Sequence, residues 1–273
     1  IRICNEIRKK DGLPQVNHPF DASFSTRYNS EFWDMAQIFE SIEIWNGATP
    51  FAAGTINAKA FKKWLSLLED GKRLTATTGS DTHNIYGDDY FGMTEWLDWL
   101  MDIVMKHPEI YPVQMNEKVA YLTWLYNKVW PRLLSWVEQS NTPSTIHNYV
   151  YTNGKNQPQE ILQAIREGHS FISNGPLVTA EVNGVSYGDT ATLKDNTGKL
   201  SVHVFSKKPI NHLWMYTGVD KKVEICTESG SLEGGFVYDI VTDEFDFGGA
   251  SWALFVADGG ENNLAISNPI LFA

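Results

Sequence analysis

The stretch Leu74-Thr75-Ala76-Thr77-Thr78-Gly79-Ser80-Asp81-Thr82-His83 joins an apolar, β-prone run to two side chains able to ligate a metal. Leu74 to Thr78 predicts a strand, and Gly79 ends it. In extended backbone, side chains at i and i+2 point the same way, so Asp81 and His83 can address one pocket. An oxygen and a nitrogen donor of this kind suit zinc, manganese or iron. The same residues also read as a polar turn in which Asp81 caps the following segment and His83 faces solvent. A D-x-H pair alone does not choose between the two readings.

The preceding chain adds to it. Leu13-Pro14-Gln15-Val16-Asn17 predicts a short buried strand that delivers His18, with Pro19 stiffening the exit. Tyr28 to Glu40 reads as a helix or compact loop, and Ser41-Ile42-Glu43-Ile44-Trp45-Asn46-Gly47 as a strand ending in polar residues and a glycine. Ala58 to Asp70 has a helical stripe of Phe61, Trp64, Leu65, Leu67 and Leu68, stopped by Gly71. Three strands separated by helical stretches thus end in polar clusters: Asn17-His18, Glu43 with Asn46, and Asp81 with His83. In a β/α barrel or any parallel α/β sheet, the carboxyl ends of the strands line one rim, where ligands bind. Three clusters on one rim can converge.

Downstream, Thr94 to Gln139 is Trp-rich and helical in pattern, broken at His107-Pro108 and at Pro131, and reads as core or lid packing. The β/α order then returns, with His147–Tyr151 as a strand, Gln159–Glu167 as a helix ended by Gly168, and His169–Ser173 as a strand. Asn174-Gly175-Pro176 is a strong break, which places a domain boundary between 1–174 and 175–273, with the helical insert at about 94–140. Beyond it, alternating runs at 178–182, 200–205, 212–216 and 252–257 are separated by Asn-Gly, Asp-Asn, Ser-Gly and Gly-Gly turns. That spacing predicts an antiparallel β-sandwich.

Composition narrows the partners. The net charge of −11 is uneven: residues 1–174 hold 16 basic and 20 acidic side chains, and residues 175–273 hold 6 and 13. Without a basic face, nucleic acid is disfavoured. No apolar run approaches the ~18 residues of a membrane-crossing helix. Cys4 and Cys226 sit in apolar surroundings and read as buried thiols, which leaves the compartment open. Ile1, Ile3, Cys4 and Ile7 form a helical stripe that begins in mid-element, so the true amino terminus is expected upstream.

Gly12-Leu13-Pro14-Gln15-Val16-Asn17-His18-Pro19, Ile42 to Gly47, Thr78 to His83, Ile161-Leu162-Gln163-Ala164-Ile165 with Gly168, Ser173 to Pro176 and Ala265-Ile266-Ser267-Asn268-Pro269-Ile270 form an ordered set. In order and spacing the set resembles the PHP (polymerase and histidinol phosphatase) superfamily of metallohydrolases, nearest its CehA/McbA-like branch. The resemblance covers nearly the whole chain outside 94–140. It implies an α/β fold: the carboxyl-terminal part of a distorted (β/α)7 barrel with a helical insert, followed by an antiparallel β-sandwich. It also implies divalent metal ions (zinc, manganese or iron) on the barrel rim. His18 matches a ligand, as do Asp81 and His83, expected on different ions. Glu43 and Asn46 match a recurring rim motif and are expected to bind substrate or to lie just behind the ligands. The implied activity is hydrolysis of a small-molecule phosphoester by metal-activated water, with a carbamate or carboxyl ester as the alternative. The family's amino-terminal ligand motifs have no counterpart in the chain. It is therefore expected to be the later part of a longer protein, whose missing amino-terminal half would be its partner.

Other residues complete the set of candidates. Arg27 lies on the loop after His18 and can grip an anionic substrate, because Arg pairs bidentately with phosphate. His107 reads as a surface residue, His147 as either structural or closing over the site, and His169, His203 and His212 as strand residues. A rival reading makes the acidic sandwich, with Trp214, Tyr216 and Trp252, a surface for carbohydrate or a partner chain, on a non-catalytic scaffold.

Overall fold

β1 (Gln15–Val16), β2 (Ser41–Asn46) and β3 (Thr75–Gly79) pair in parallel, in that order, in a computed structural model that describes residues 1–20, 28, 30–47, 51–81, 146–225, 229–232, 234–260 and 263–273. All six residues of β2 are buried, as expected of a parallel strand covered on both faces. The chain divides into two units, Ile1–Gly79 with Thr145–Ala273 and Ser80–Ser144. Of the second, Ser80 and Asp81 are described, and the helical insert expected at 94–140 lies outside the described residues.

The helices of the first unit follow from local chemistry. α1 (Arg2–Arg8) and the short α2 (Ser30–Asp34) precede β2, and α3 (Ile56–Glu69) connects β2 to β3. Thr55 caps α3 by accepting the Ala58 N–H, and Phe61, Trp64, Leu65, Leu67 and Leu68 are buried as the stripe predicts. Trp64 Nε1 donates to the Leu74 carbonyl at 2.7 Å, which pins α3 to the entrance of β3. The stripe on α1 is used only in part: Cys4 is buried, while Ile1 and Ile3 are 70% and 72% exposed.

The expected (β/α)7 barrel does not close among the described residues, where the parallel order stops at β3. The reason lies at its outer edge. Asn268 Oδ1 accepts the Ala76 N–H at 2.8 Å and its Nδ2 donates to the Ala76 carbonyl at 3.3 Å. Asn148 treats Thr78 in the same way, at 3.0 and 2.8 Å. Two side-chain amides thus satisfy backbone groups that a neighbouring strand would otherwise satisfy. β4 (His147–Val150) and β5 (Ser170–Ser173), joined by α4 (Pro158–Glu167), read as the next parallel strands in sequence, yet they pair antiparallel with each other.

β5 enters a sheet that crosses the division expected after residue 174. The remaining strands are β6 (Leu177–Val182), β7 (Val185–Ser186), β8 (Thr190–Ala191), β9 (Thr197–Ser206), β10 (His212–Tyr216) and β11 (Lys222–Glu224). They are followed by β12 (Ser229–Leu232), β13 (Gly235–Asp246), β14 (Trp252–Asp258), β15 (Leu264–Ser267) and β16 (Ile270–Phe272). One sheet runs β11-β10-β14-β15-β5-β4, with β16 and β8 attached at β14, and the other runs β12-β13-β9-β6-β7. β14 explains the layering. Trp252, Leu254 and Val256 belong to a core shared with α3 and the parallel strands, while Ala253, Phe255 and Ala257 belong to the core shared with the five-stranded sheet. The larger sheet is therefore a middle layer, buried on both faces along β14, and the architecture is mixed α/β dominated by strands.

Candidate functional site

His18 leaves β1 with a backbone φ of 30°, in the left-handed region that residues bearing a Cβ avoid. Its N–H donates to Glu43 Oε2 at 2.5 Å, a charge-assisted bond that holds the turn in this geometry. Glu43 comes from the middle of β2, where the register against β3 slips between Glu43 and Trp45. Such an irregularity re-aims a side chain, and this one carries a buried carboxylate. A Cβ on Gly79 would stand 2.9 Å from Glu43 Oε1, so the residue that ends β3 also leaves room for the carboxylate. Tyr28 feels the same charge: burial first, then Glu43, push its phenol above the ordinary value, and its hydroxyl keeps its proton.

His18 Nδ1 is buried and has no hydrogen-bond partner among the described residues. Leaving a buried polar atom in that state costs about 1–3 kcal/mol. An imidazole nitrogen so placed suits a divalent ion, and the buried Glu43 carboxylate beside its main chain favours positive charge.

The other candidates divide. Asn46 is 3% exposed, and Asn57 of α3 clamps its backbone by accepting the Asn46 N–H at 2.9 Å and donating to its carbonyl at 3.0 Å. Glu43 and Asn46 are thus both buried, one within β2 and one at its end. Asp81 follows the end of β3 with φ 57° and belongs to the second unit. Arg27, His83, His107 and Cys226 lie outside the described residues. Among the described residues no three His, Cys, Asp or Glu side chains gather into a metal-holding group. His147 is exposed on an edge strand, opposite Ser173. Trp252 is 2% exposed and packs in the core, which leaves Trp214 and Tyr216 as the accessible aromatics of that trio.

One arrangement escapes sequence reasoning, and a second is only half visible to it. Ser201 Oγ, His203 and Asp239 form a hydrogen-bonded line, 2.9 Å from the hydroxyl to Nε2 and 2.7 Å from Nδ1 to the carboxylate. The Ser-x-His alternation places the first two on one face, but Asp239 arrives from β13 by cross-strand register. β9 is an interior strand, so its N–H groups are committed to its neighbours and none is free to stabilise an oxyanion. The line is a surface network rather than a nucleophilic site. The second is an aromatic cleft beside β10, where Trp214 and Tyr216, singled out in the sequence, are joined by Phe51 and by Phe61 of the α3 stripe.

Comparison with protein-family models, with curated proteins and with solved structures gave no match. No helix among the described residues is long and apolar enough to cross a membrane.

Proposed function

We propose that the chain is a metal-dependent hydrolase of the PHP type that acts on a phosphoester. His18 supplies one ligand, and Asp81 and His83, which follow β3 in sequence, supply others. The observation that carries the reading is the His18 imidazole, whose Nδ1 is buried, and unpartnered among the described residues, at the carboxyl end of a parallel strand. A bound zinc, manganese or iron ion would supply an activated water and polarise the ester oxygen. The chain's own residues do the positioning. Glu43 holds the His18 main chain in its left-handed turn, Gly79 gives that carboxylate its space, and Asn57 fixes the end of β2. Tyr28 keeps its proton and can donate a hydrogen bond, and Arg27 is the residue for gripping an anionic group. The motifs at His18, Glu43 with Asn46, and Asp81 with His83 support this function without a closed barrel.

Elemental analysis after exhaustive dialysis is the test. The expected result is about one or more ions per chain, with affinity lowered roughly ten- to hundredfold in His18→Ala. Nitrophenyl phosphate turnover in manganese or zinc should fall with it. A protein that retains no metal and hydrolyses neither nitrophenyl phosphate nor nitrophenyl esters overturns the proposal. Turnover of the acetate or carbamate ester in place of the phosphate selects the alternative substrate class.

A further inference from the structure

A cleft of about 310 Å³ lies beside β10, walled by Phe51, Phe61, Trp214 and Tyr216, with Lys222 and Asp258 among its polar residues. The alternation of β10 puts Trp214 and Tyr216 on one face, and the antiparallel register sets Lys222 of β11 opposite Tyr216. Tyr216 meets Phe61 edge-on, with centroids 5.4 Å apart, and Phe61 meets Phe51 edge-on at 5.7 Å, so the walls brace one another. Val256 and Ile266 line the cleft and are buried, which makes it poorly hydrated at depth.

The arrangement already holds a cation. Lys222 Nζ stands 3.8 Å from the Trp214 ring centroid and 5.7 Å from that of Tyr216. Both distances fall within the reach of the ring quadrupole, and Lys222 makes no salt bridge among the described residues. Asp258 also makes none, its Oδ1 accepting the Gly260 N–H at 2.9 Å. Burial and then the Asp258 charge push the Tyr216 phenol above its ordinary value, so the ring stays neutral and π-rich beside a carboxylate. A sugar would need an open aromatic face. Trp214 instead carries Lys222 and stacks with His212 at 5.2 Å, which makes it a poor platform for one.

We infer that this cleft is a binding site for an organic cation, an ammonium group on a small apolar body. Trp214 and Tyr216 hold the charge, Asp258 balances it, and Lys222 is the internal occupant that the ligand displaces. Lys222 is exposed and sits on a flexible four-carbon stem, so it can swing out to solvent. The acidic balance of residues 175–273, 6 basic against 13 acidic side chains, draws cations toward this half of the chain.

Calorimetric titration of the whole chain with tetramethylammonium and with choline tests the inference, with glucose as the uncharged comparison. Saturable binding of both cations and none of glucose is expected. Lys222→Ala removes the competitor and should bind about tenfold more tightly, whereas Asp258→Asn and Trp214→Leu should each bind about tenfold more weakly. Because Trp214 also packs against the shared core, the Lys222 variant decides: an exposed side chain is removed, and a gain in affinity cannot come from misfolding. Cation binding that is absent from both wild type and Lys222→Ala overturns the proposal. So does a Lys222→Ala affinity equal to wild type, or preferential binding of glucose.

Discussion

A left-handed backbone at a residue with a Cβ costs on the order of 1 kcal/mol or more, and His18 adopts one at φ 30°. The bond from its N–H to Glu43 offsets that cost and fixes the direction in which the imidazole leaves the strand. Gly79→Ala probes this directly. The new Cβ would lie 2.9 Å from Glu43 Oε1, so the carboxylate must move and its hold on His18 must loosen. Metal affinity, measured by competition with a chelating dye, is expected to fall roughly ten- to hundredfold, the range for groups that orient a ligand. Glu43→Gln, which keeps an acceptor oxygen, should fall less. Wild-type affinity in both variants would remove Glu43 from any positioning role. The place of His18 just beyond β1 was legible because a short apolar run delivers it and a proline follows it. The second use of Gly79 was not, since it depends on where a β2 side chain points after a slip in register.

Strands and helices were legible wherever one side-chain period ran long enough. β10 falls at 212–216 as read, and the stripe of α3 is the stripe that is buried. Direction was not legible. A short strand, a helix and a short strand read the same for a parallel crossover and for the antiparallel pair β4–β5, and the choice was made by β15, far along the chain. Glu40 shows how distant elements are then tied. It accepts from Arg8 Nε at 2.5 Å and Arg166 Nε at 2.7 Å, linking the ends of α1 and α4 to the start of β2. Burial raises the Glu40 pKa, but the hydrogen bonds and charges of Arg166 and Arg8 outweigh it and hold the carboxyl below its ordinary value. A depressed carboxyl contributes stability that is full above the unfolded value and is lost as pH falls through the folded one. Glu40→Gln is therefore expected to cost about 1–3 kcal/mol at neutral pH and progressively less below pH ~4.5. Urea midpoints of both proteins at pH 7 and pH ~3 check it, and an undiminished gap at the acid end would rule out Glu40 ionisation as its source.

At the scale of the molecule, the first unit is a stack in which the larger sheet serves two cores, so the parallel strands cannot open without exposing Leu254, Val256 and Ile266. Asn268 bolts the layers together, bonding to Ala76 of β3 and donating to the Ser170 carbonyl at 2.9 Å and its Oγ at 3.0 Å. Its side chain is buried, so Asn268→Ala strands several polar groups at once and is expected to cost about 3 kcal/mol. The shared core makes a further demand: the loss must be felt on both sides of the bolt. Native-state hydrogen exchange reads this residue by residue. The amides of Ile44 in β2 and Val256 in β14 should open with the same free energy in the wild type, and both should fall together in Asn268→Ala. If Ile44 loses protection while Val256 keeps it, the parallel strands and the sandwich are separate cooperative units. The division would then lie near the Asn174-Gly175-Pro176 break, and the middle sheet would transmit nothing between them.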